Sequence, residues 1–229
     1  MPESATSIPD AGNSPPDTLP AALARHGLSL PPEQVALLDK YCRLLWDWNA
    51  KLNLTRHTDY EKFVARDLAD AQQLVSLLRQ DEEVLDVGTG GGVPGVVLKI
   101  LRPDLKVALC DSVGKKVRAV ENIVQELGLE VPAYPFRAEE LLEDMRFDAL
   151  VIRAVGPLDK LLALFKPHWH SFRRILVIKG PKWPDELNEA KRRGLLQNLQ
   201  LKTAAEYPLA GADGNSFILK IWPKNVPER

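Results

Sequence analysis

A chain of 229 residues, 45% of them hydrophobic, can bury one substantial core with a small appended lobe, but not two large domains. Its apolar runs are strand-length and broken by charge, short of the ~20 residues a membrane helix needs, so no membrane association is expected. Glu3, Asp10 and Asp17 give residues 1–20 a charge of −3 within a total of −1, which leaves +2 for the rest and excludes a strongly basic, non-specific nucleic-acid binder.

Residues 1–20 hold Pro2, Pro9, Pro15, Pro16 and Pro20 among Ser, Asp, Gly and Asn, with too few apolar side chains to offset the entropy of ordering. They read as a disordered tail. No basic segment followed by an apolar stretch marks a secretory signal, and only Cys42 and Cys110 are available for pairing, so a reducing, cytoplasmic setting is expected. From Pro31-Pro32-Glu33 onward, Val35, Leu38, Cys42, Leu45 and Trp48 recur at three and four, the spacing of an amphipathic helix with Pro in its first turn. Phe63, Leu68, Leu74, Val75 and Leu78 predict a second helix, which completes a helical lobe over residues 21–80.

Over residues 81–229 short apolar runs alternate with helical stretches, the pattern of a parallel sheet with helices on both faces. The runs are Val84–Val87, Val107–Cys110, Val131–Phe136, Ala149–Ile152, Ile175–Ile178, a weaker one near 200–207, and Phe217–Trp222. Helices are predicted near 95–101, 114–127, 138–144, 157–167 and 184–198, and the second of these should end at Gly128 in a left-handed cap. Pro208 to Asn215 is turn-rich and contains Gly211 and Gly214, so the last two strands should form a hairpin. Seven strands closed by an antiparallel hairpin predict the class I methyltransferase variant of the Rossmann-like α/β fold, with a small N-terminal helical lobe.

Asp86-Val-Gly88-Thr-Gly90-Gly-Gly92-Val-Pro-Gly95 follows a strand and precedes a helix, where glycine lets the chain turn sharply and a ligand approach the backbone. Asp111 ends the second strand, placed either to accept the hydroxyls of a ribose or to cap the next helix. Gly-x-Gly-x-Gly with Pro94 departs from the Gly-x-Gly-x-x-Gly that cradles a pyrophosphate, which disfavours a nicotinamide cofactor. S-adenosylmethionine carries no phosphate and has a positive sulfonium, so Asp86 at the loop entrance is compatible with it.

These segments, taken with Asn53-Leu-Thr55, Asp111-Ser-Val-Gly-Lys-Lys-Val-Arg118, Arg137-Ala-Glu-Glu140, Arg153-Ala154 and Lys179-Gly180, resemble the RsmG (GidB) family from about residue 25 to residue 222. The resemblance implies transfer of a methyl group from S-adenosylmethionine to N7 of a guanine in the 530 loop of bacterial 16S ribosomal RNA, position 527 in the standard RNA numbering. It also implies that Gly88 and Val93 contact the cofactor, that Ala138 and Glu139 hold its adenine end, and that Arg153 lies beside it. The chain departs from the family where a His is followed three residues later by Asp-Ser, since it has Asp67-Leu-Ala-Asp70-Ala71. Gly91 stands where relatives often carry Pro or Ala, and Ile152 where many have Ser.

Guanine N7 has an exposed lone pair and no proton to remove, so its methylation requires positioning and no obligatory base. The sequence agrees in lacking an Asn/Asp-Pro-Pro-Tyr/Phe segment or a Pro-Cys nucleophile; Cys110 reads as core. Candidates for RNA positioning are Asn53, Thr55, Arg153 and Lys179, although Asn53-Leu-Thr55 serves equally as a turn. Lys115-Lys116, Arg118, Arg173-Arg174, Lys182 and Lys191-Arg193 offer phosphate contacts, and Trp183 could stack on a flipped base. A monomer is expected, with 16S ribosomal RNA or the small ribosomal subunit as partner and no metal. The alternative is a non-catalytic RNA-binding or ribosome-assembly factor that retains the fold.

Overall fold

The computed structural model describes residues 17–208 and 214–227. Seven strands form one sheet in the order β3-β2-β1-β4-β5-β7-β6: β1 (Glu83–Val87), β2 (Lys106–Cys110), β3 (Ala133–Tyr134), β4 (Phe147–Arg153), β5 (Phe172–Lys179), β6 (Leu199–Pro208) and β7 (Asn215–Pro223). The first five are parallel, whereas β7 runs antiparallel to both β5 and β6, as the turn-rich segment before it requires. β3 is shorter than its apolar run because Pro132 and Pro135 flank it and donate no ladder hydrogen bonds.

Side-chain alternation assigns each strand residue to one of two apolar clusters. Val84, Ala149, Val151, Leu176 and Ile178 face one side; Leu85, Val87, Leu150, Ile152, Ile175 and Val177 face the other. By the same period, Asp86 and Arg153 point to the first face and Lys179 to the second.

The first face is covered by α1 (Leu19–Arg25), α2 (Pro32–Asn49), α3 (Tyr60–Lys62), α4 (Ala69–Val75), α5 (Gly95–Leu101) and α6 (Gly114–Leu127), and the second by α7 (Ala138–Asp144), α8 (Leu158–Phe165) and α9 (Trp183–Arg192). α3 runs into α4 through a π-helical segment, Phe63–Leu68. Leu38, Tyr41, Leu45, Phe63 and Leu68 share one cluster with Val84, Val96 and Val151, so the N-terminal helices close a face of the sheet.

The tail expected over residues 1–20 ends sooner. Residues 1–16 lie outside the described part, but Thr18 caps α1, accepting from the Ala21 amide at 3.4 Å, and Leu19 is fully buried. Pro20, counted toward disorder, is a first-turn helical proline. α6 ends at Gly128 with φ 67°, the left-handed cap the sequence predicts. α9 stops at Arg192 rather than 198: Gly194 takes φ 66°, and the amides of Gly194 and Leu195 bond back to the Lys191 and Ala190 carbonyls.

The weakness of the sixth apolar run has a structural cause. Leu199 and Leu201 pack on the second face, but the register with β7 slips between Thr203 and Ala205, and Ala205 and Tyr207 then pack on the first. One extra residue flips the strand's phase and aims Tyr207 at the N-terminal helices.

Candidate cofactor and substrate site

The glycine-rich loop leaves β1 and is built around two carboxylates. Asp86 Oδ2 accepts from Thr89 Oγ1 at 2.6 Å and from the Gly95 amide at 2.9 Å. Asp111 Oδ2 accepts from the Gly90 amide at 3.1 Å, and its Oδ1 from the Val113 amide at 2.9 Å. The amides of Gly88 and Thr89 bond to the Cys110 carbonyl, those of Gly92 and Val93 to the Thr89 carbonyl, and Tyr41 donates to the Gly91 carbonyl at 2.9 Å. Loop N–H groups that a pyrophosphate would need are thus committed within the protein, in agreement with the reading of the glycine pattern.

Asp86 belongs inside this scaffold and not at the ligand surface, which corrects the expectation for it. It is 1% exposed and lines neither cavity described below. Burial raises its carboxyl from 3.8 to about 6, against the lowering effect of Thr89, Gly95 and Arg153. A raised folded-state value favours the protonated form, so this group's stabilisation is full below pH 3.8 and is lost as pH rises through about 6. Asp86→Asn keeps the acceptor and removes the ionisation. Its stability relative to wild type should therefore rise by on the order of 3 kcal/mol between pH 3.5 and 7 in urea titrations; a pH-independent difference would contradict this.

Val93 is also core. Its side chain is 7% exposed and packs with the helices, and the Val93–Pro94 peptide is cis. Cys110 is buried as expected, its thiol pushed up to about 12 by burial, which leaves no reactive thiolate.

Two cavities open at the carboxyl ends of the parallel strands, where ligands bind in such sheets. The smaller, about 140 Å³, is bounded by Gly88, Asp111, Ala138 and Glu139. Its other walls include Phe136, Val155 and Leu164, three of the four large apolar side chains left exposed among the described residues. Apolar side chains left open around a concave pocket beside a carboxylate suit a flat heteroaromatic base joined to a ribose. A Cβ on Gly88 would lie 2.6 Å from Val155 Cγ2, so the loop needs glycine to border this pocket. Asp111 holds the start of α6 through Val113, and it also lines the pocket.

The larger cavity, about 1000 Å³, shares Val155 with the first and is bordered by Asn53, Thr55, Arg56, His57, Arg66 and Arg153. Arg153 Nη1 bonds to Asp67 Oδ1 at 2.6 Å and Asp70 Oδ2 at 3.1 Å. His57 Nδ1 lies 2.9 Å from Asp67 Oδ1, and Tyr207 donates to Asp70 Oδ1 at 2.7 Å. Burial works against the Arg153 charge, but Asp67 and Asp70 outweigh it and hold its acidity below that of a free guanidinium. Asp67, which stands where the family usually has His, is thus a partner of Arg153 together with Asp70. The sequence offered no sign of this pairing, nor of His57 and Tyr207.

Other expected residues are placed differently. Lys179, on the second face, is 8% exposed; its Nζ donates to the Gly156 carbonyl and pairs with Glu186 Oε2 at 2.7 Å. It lines the larger cavity with its ammonium paired inside the protein. Thr55 Oγ1 accepts from the His57 amide at 3.0 Å, the turn role, and Asn49 rather than Asn53 closes this turn by accepting from Leu54 and Thr55. Asn53 stays exposed on the cavity wall. Trp183 packs on Phe217 at 5.9 Å and lines neither cavity. Arg173 and Arg174 start β5 at the opposite end of the strands, paired with Asp148 and Glu82.

Among the described residues no group of His, Cys, Asp and Glu is placed to hold a metal ion, and no helix is long and apolar enough to cross a membrane. The strand order, the closing hairpin and the paired cavities define a class I methyltransferase fold. It resembles M. capricolum TrmK, solved with S-adenosylhomocysteine (TM-score 0.54, 16% identity, 69% of this chain and 68% of that one). It also resembles the magnesium protoporphyrin IX methyltransferase of Synechocystis PCC 6803, solved with S-adenosylmethionine (TM-score 0.55, 13% identity, 85% and 99%). Residues 34–208 match the family model GidB, rRNA small subunit methyltransferase G. Proteins named ribosomal RNA small subunit methyltransferase G are 50% identical in Rhodopirellula baltica (82% of this chain, 81% of that protein) and 32% identical in Clostridium novyi (83% and 82%). The chain belongs to the rRNA small subunit methyltransferase G family.

Proposed function

We propose that the chain transfers a methyl group from S-adenosylmethionine to N7 of a guanine in the 530 loop of 16S ribosomal RNA. The observation that carries this reading is the pair of cavities that share Val155, one mostly apolar with carboxylates at its rim, the other larger and more polar. S-adenosylmethionine would supply an electrophilic methyl on its sulfonium. Asp111 would accept its ribose hydroxyls, Ala138 and Glu139 would border its adenine, and the backbone at Gly88 and Gly90 would lie against it. Arg153 and its carboxylates shape the adjoining wall, on which the target base would be positioned.

N7 carries no proton, so the cleft needs no general base, and its carboxylates Asp70 and Glu186 are indeed committed to Arg153, Tyr207 and Lys179. A cytoplasmic protein follows from this substrate. Purified protein should place one methyl group on small-subunit RNA or subunits, at a single guanine that reduction and aniline then cleave. Absence of both with S-adenosylhomocysteine bound would favour a non-catalytic RNA-binding or assembly factor. Asp111→Ala should weaken S-adenosylhomocysteine binding in calorimetry by roughly a hundredfold, the worth of two hydroxyl bonds to a carboxylate; unchanged affinity would remove Asp111 from the site.

A further inference from the structure

The larger cavity has four permanent cations in its wall, Arg56, Arg66, Arg153 and Lys179. Two are neutralised from within: Arg153 by Asp67 and Asp70, Lys179 by Glu186. Arg56 and Arg66 have no ion pair or side-chain hydrogen bond among the described residues. Such a division is informative, because half-buried Arg66 sits on the packed π-helical segment between Phe63 and Leu68, where a guanidinium without a counter-charge is costly unless a ligand supplies one.

Arg56 is exposed, but the backbone that carries it is tied down on both sides. Asn49 Oδ1 holds the amides of Leu54 and Thr55, Thr55 Oγ1 holds the amide of His57, and Trp46 Nε1 donates to the His57 carbonyl at 2.8 Å. The His57 ring is held in turn by Asp67. Arg56 is therefore displayed from a braced turn, which reduces the ordering cost of binding.

Resting on the methyltransferase reading above, we propose that Arg56 and Arg66 are positioning residues that grip backbone phosphates beside the methylated nucleotide. A guanidinium presents a planar fork to phosphate oxygens, and such pairings set register without reading sequence. Neither residue needs to touch the cofactor, since both are absent from the walls of the smaller cavity.

The test compares Arg56→Gln, Arg66→Gln and the double variant with wild type, using 16S RNA and small-subunit particles as probes. Removing one arginine–phosphate pairing should flatten the dependence of log affinity on log salt by about 0.7 to 0.9, additively in the double variant. KM for RNA should rise with kcat little changed, and S-adenosylhomocysteine affinity should stay at the wild-type value. Arg66→Lys should keep the salt slope, while Lys106→Gln, at the opposite end of the strands and paired with Glu83, should alter nothing. Wild-type slopes in both glutamine variants, with wild type methylating the RNA, would overturn the assignment of the arginines alone. A wild-type chain that binds S-adenosylhomocysteine but neither binds nor methylates RNA would overturn the underlying reading as well.

Discussion

Arg153→Ala should cost the protein about 3–5 kcal/mol of stability and abolish methyl transfer. The side chain answers two carboxylates at once, Asp67 at 0% exposure and Asp70 at 4%, and nothing else in the wall is placed to neutralise both. Removing it leaves paired negative charges in a site already dry enough to raise Tyr207, through burial and then through Asp70, well above the ordinary phenol range. Against a usual total of roughly 5–15 kcal/mol this is a large fraction, readable in urea denaturation at pH 7. Since a poorly folded variant says little about catalysis, the informative partner is the triple change Arg153→Met, Asp67→Asn, Asp70→Asn. It removes every charge of the cluster and should recover most of the stability while methyl transfer stays low. A stable Arg153→Ala enzyme with full activity would show that the cluster has no part in holding the wall.

The same cluster marks where sequence reasoning stopped. The strands were legible because each parallel strand buried on both faces is a short apolar run, and the hairpin because Gly and Pro crowd the segment between β6 and β7. Asp111 stood out because it ends a strand, and it does line the smaller cavity. Arg153 was found by position, but its partners lie 83 and 86 residues earlier on a helix that carries a π-helical segment no residue pattern announces. Tyr207 reaches Asp70 only through the register slip at Thr203, which also blurred β6 itself. The apolar walls Phe136, Val155 and Leu164 were missed for a related reason: sequence pattern assigns apolar residues to the core, and only the folded surface reveals which of them stay open.

Arg153 and Lys179 illustrate how a single period decides fate. Both end neighbouring parallel strands, with Arg153 beside Ile178 in the ladder, so both look equally suited to a ligand from sequence. Being one residue out of phase, they point to opposite faces. Arg153 meets the N-terminal helices and the cavity wall, whereas Lys179 meets Glu186 of α9 and ties β5 to the Gly156 turn. Arg56 and Arg66 were not candidates at all, because an arginine in a turn and one on a helix look like ordinary surface charge until their missing counter-charges can be seen.

Gly92→Ala should damage folding severely, and Gly88→Ala much less. Both glycines have positive φ, 101° at Gly92 and 70° at Gly88, and at both an added Cβ would meet a valine methyl at 2.6 Å. The valines differ. At Gly92 the neighbours are Val96 and Val120, each fully buried, with Val120 Cγ2 at 3.0 Å as well, so neither can withdraw. Strain of about 1–3 kcal/mol then adds to overpacking of about 1–3 kcal/mol. At Gly88 the neighbour is Val155, 41% exposed and free to turn away, and φ lies near the left-handed well, so the stability cost should be about 1–2 kcal/mol. Function should follow a different order of causes. Gly92→Ala should lose S-adenosylhomocysteine binding because the loop itself is displaced. Gly88→Ala should fold but bind the ligand roughly tenfold or more weakly, since its methyl and the displaced Val155 both crowd the smaller cavity they border. Thermal denaturation paired with calorimetry separates the two. Equal stability losses at both positions would mean that backbone strain alone governs the loop, with Val96 and Val120 yielding to the added methyl despite their burial.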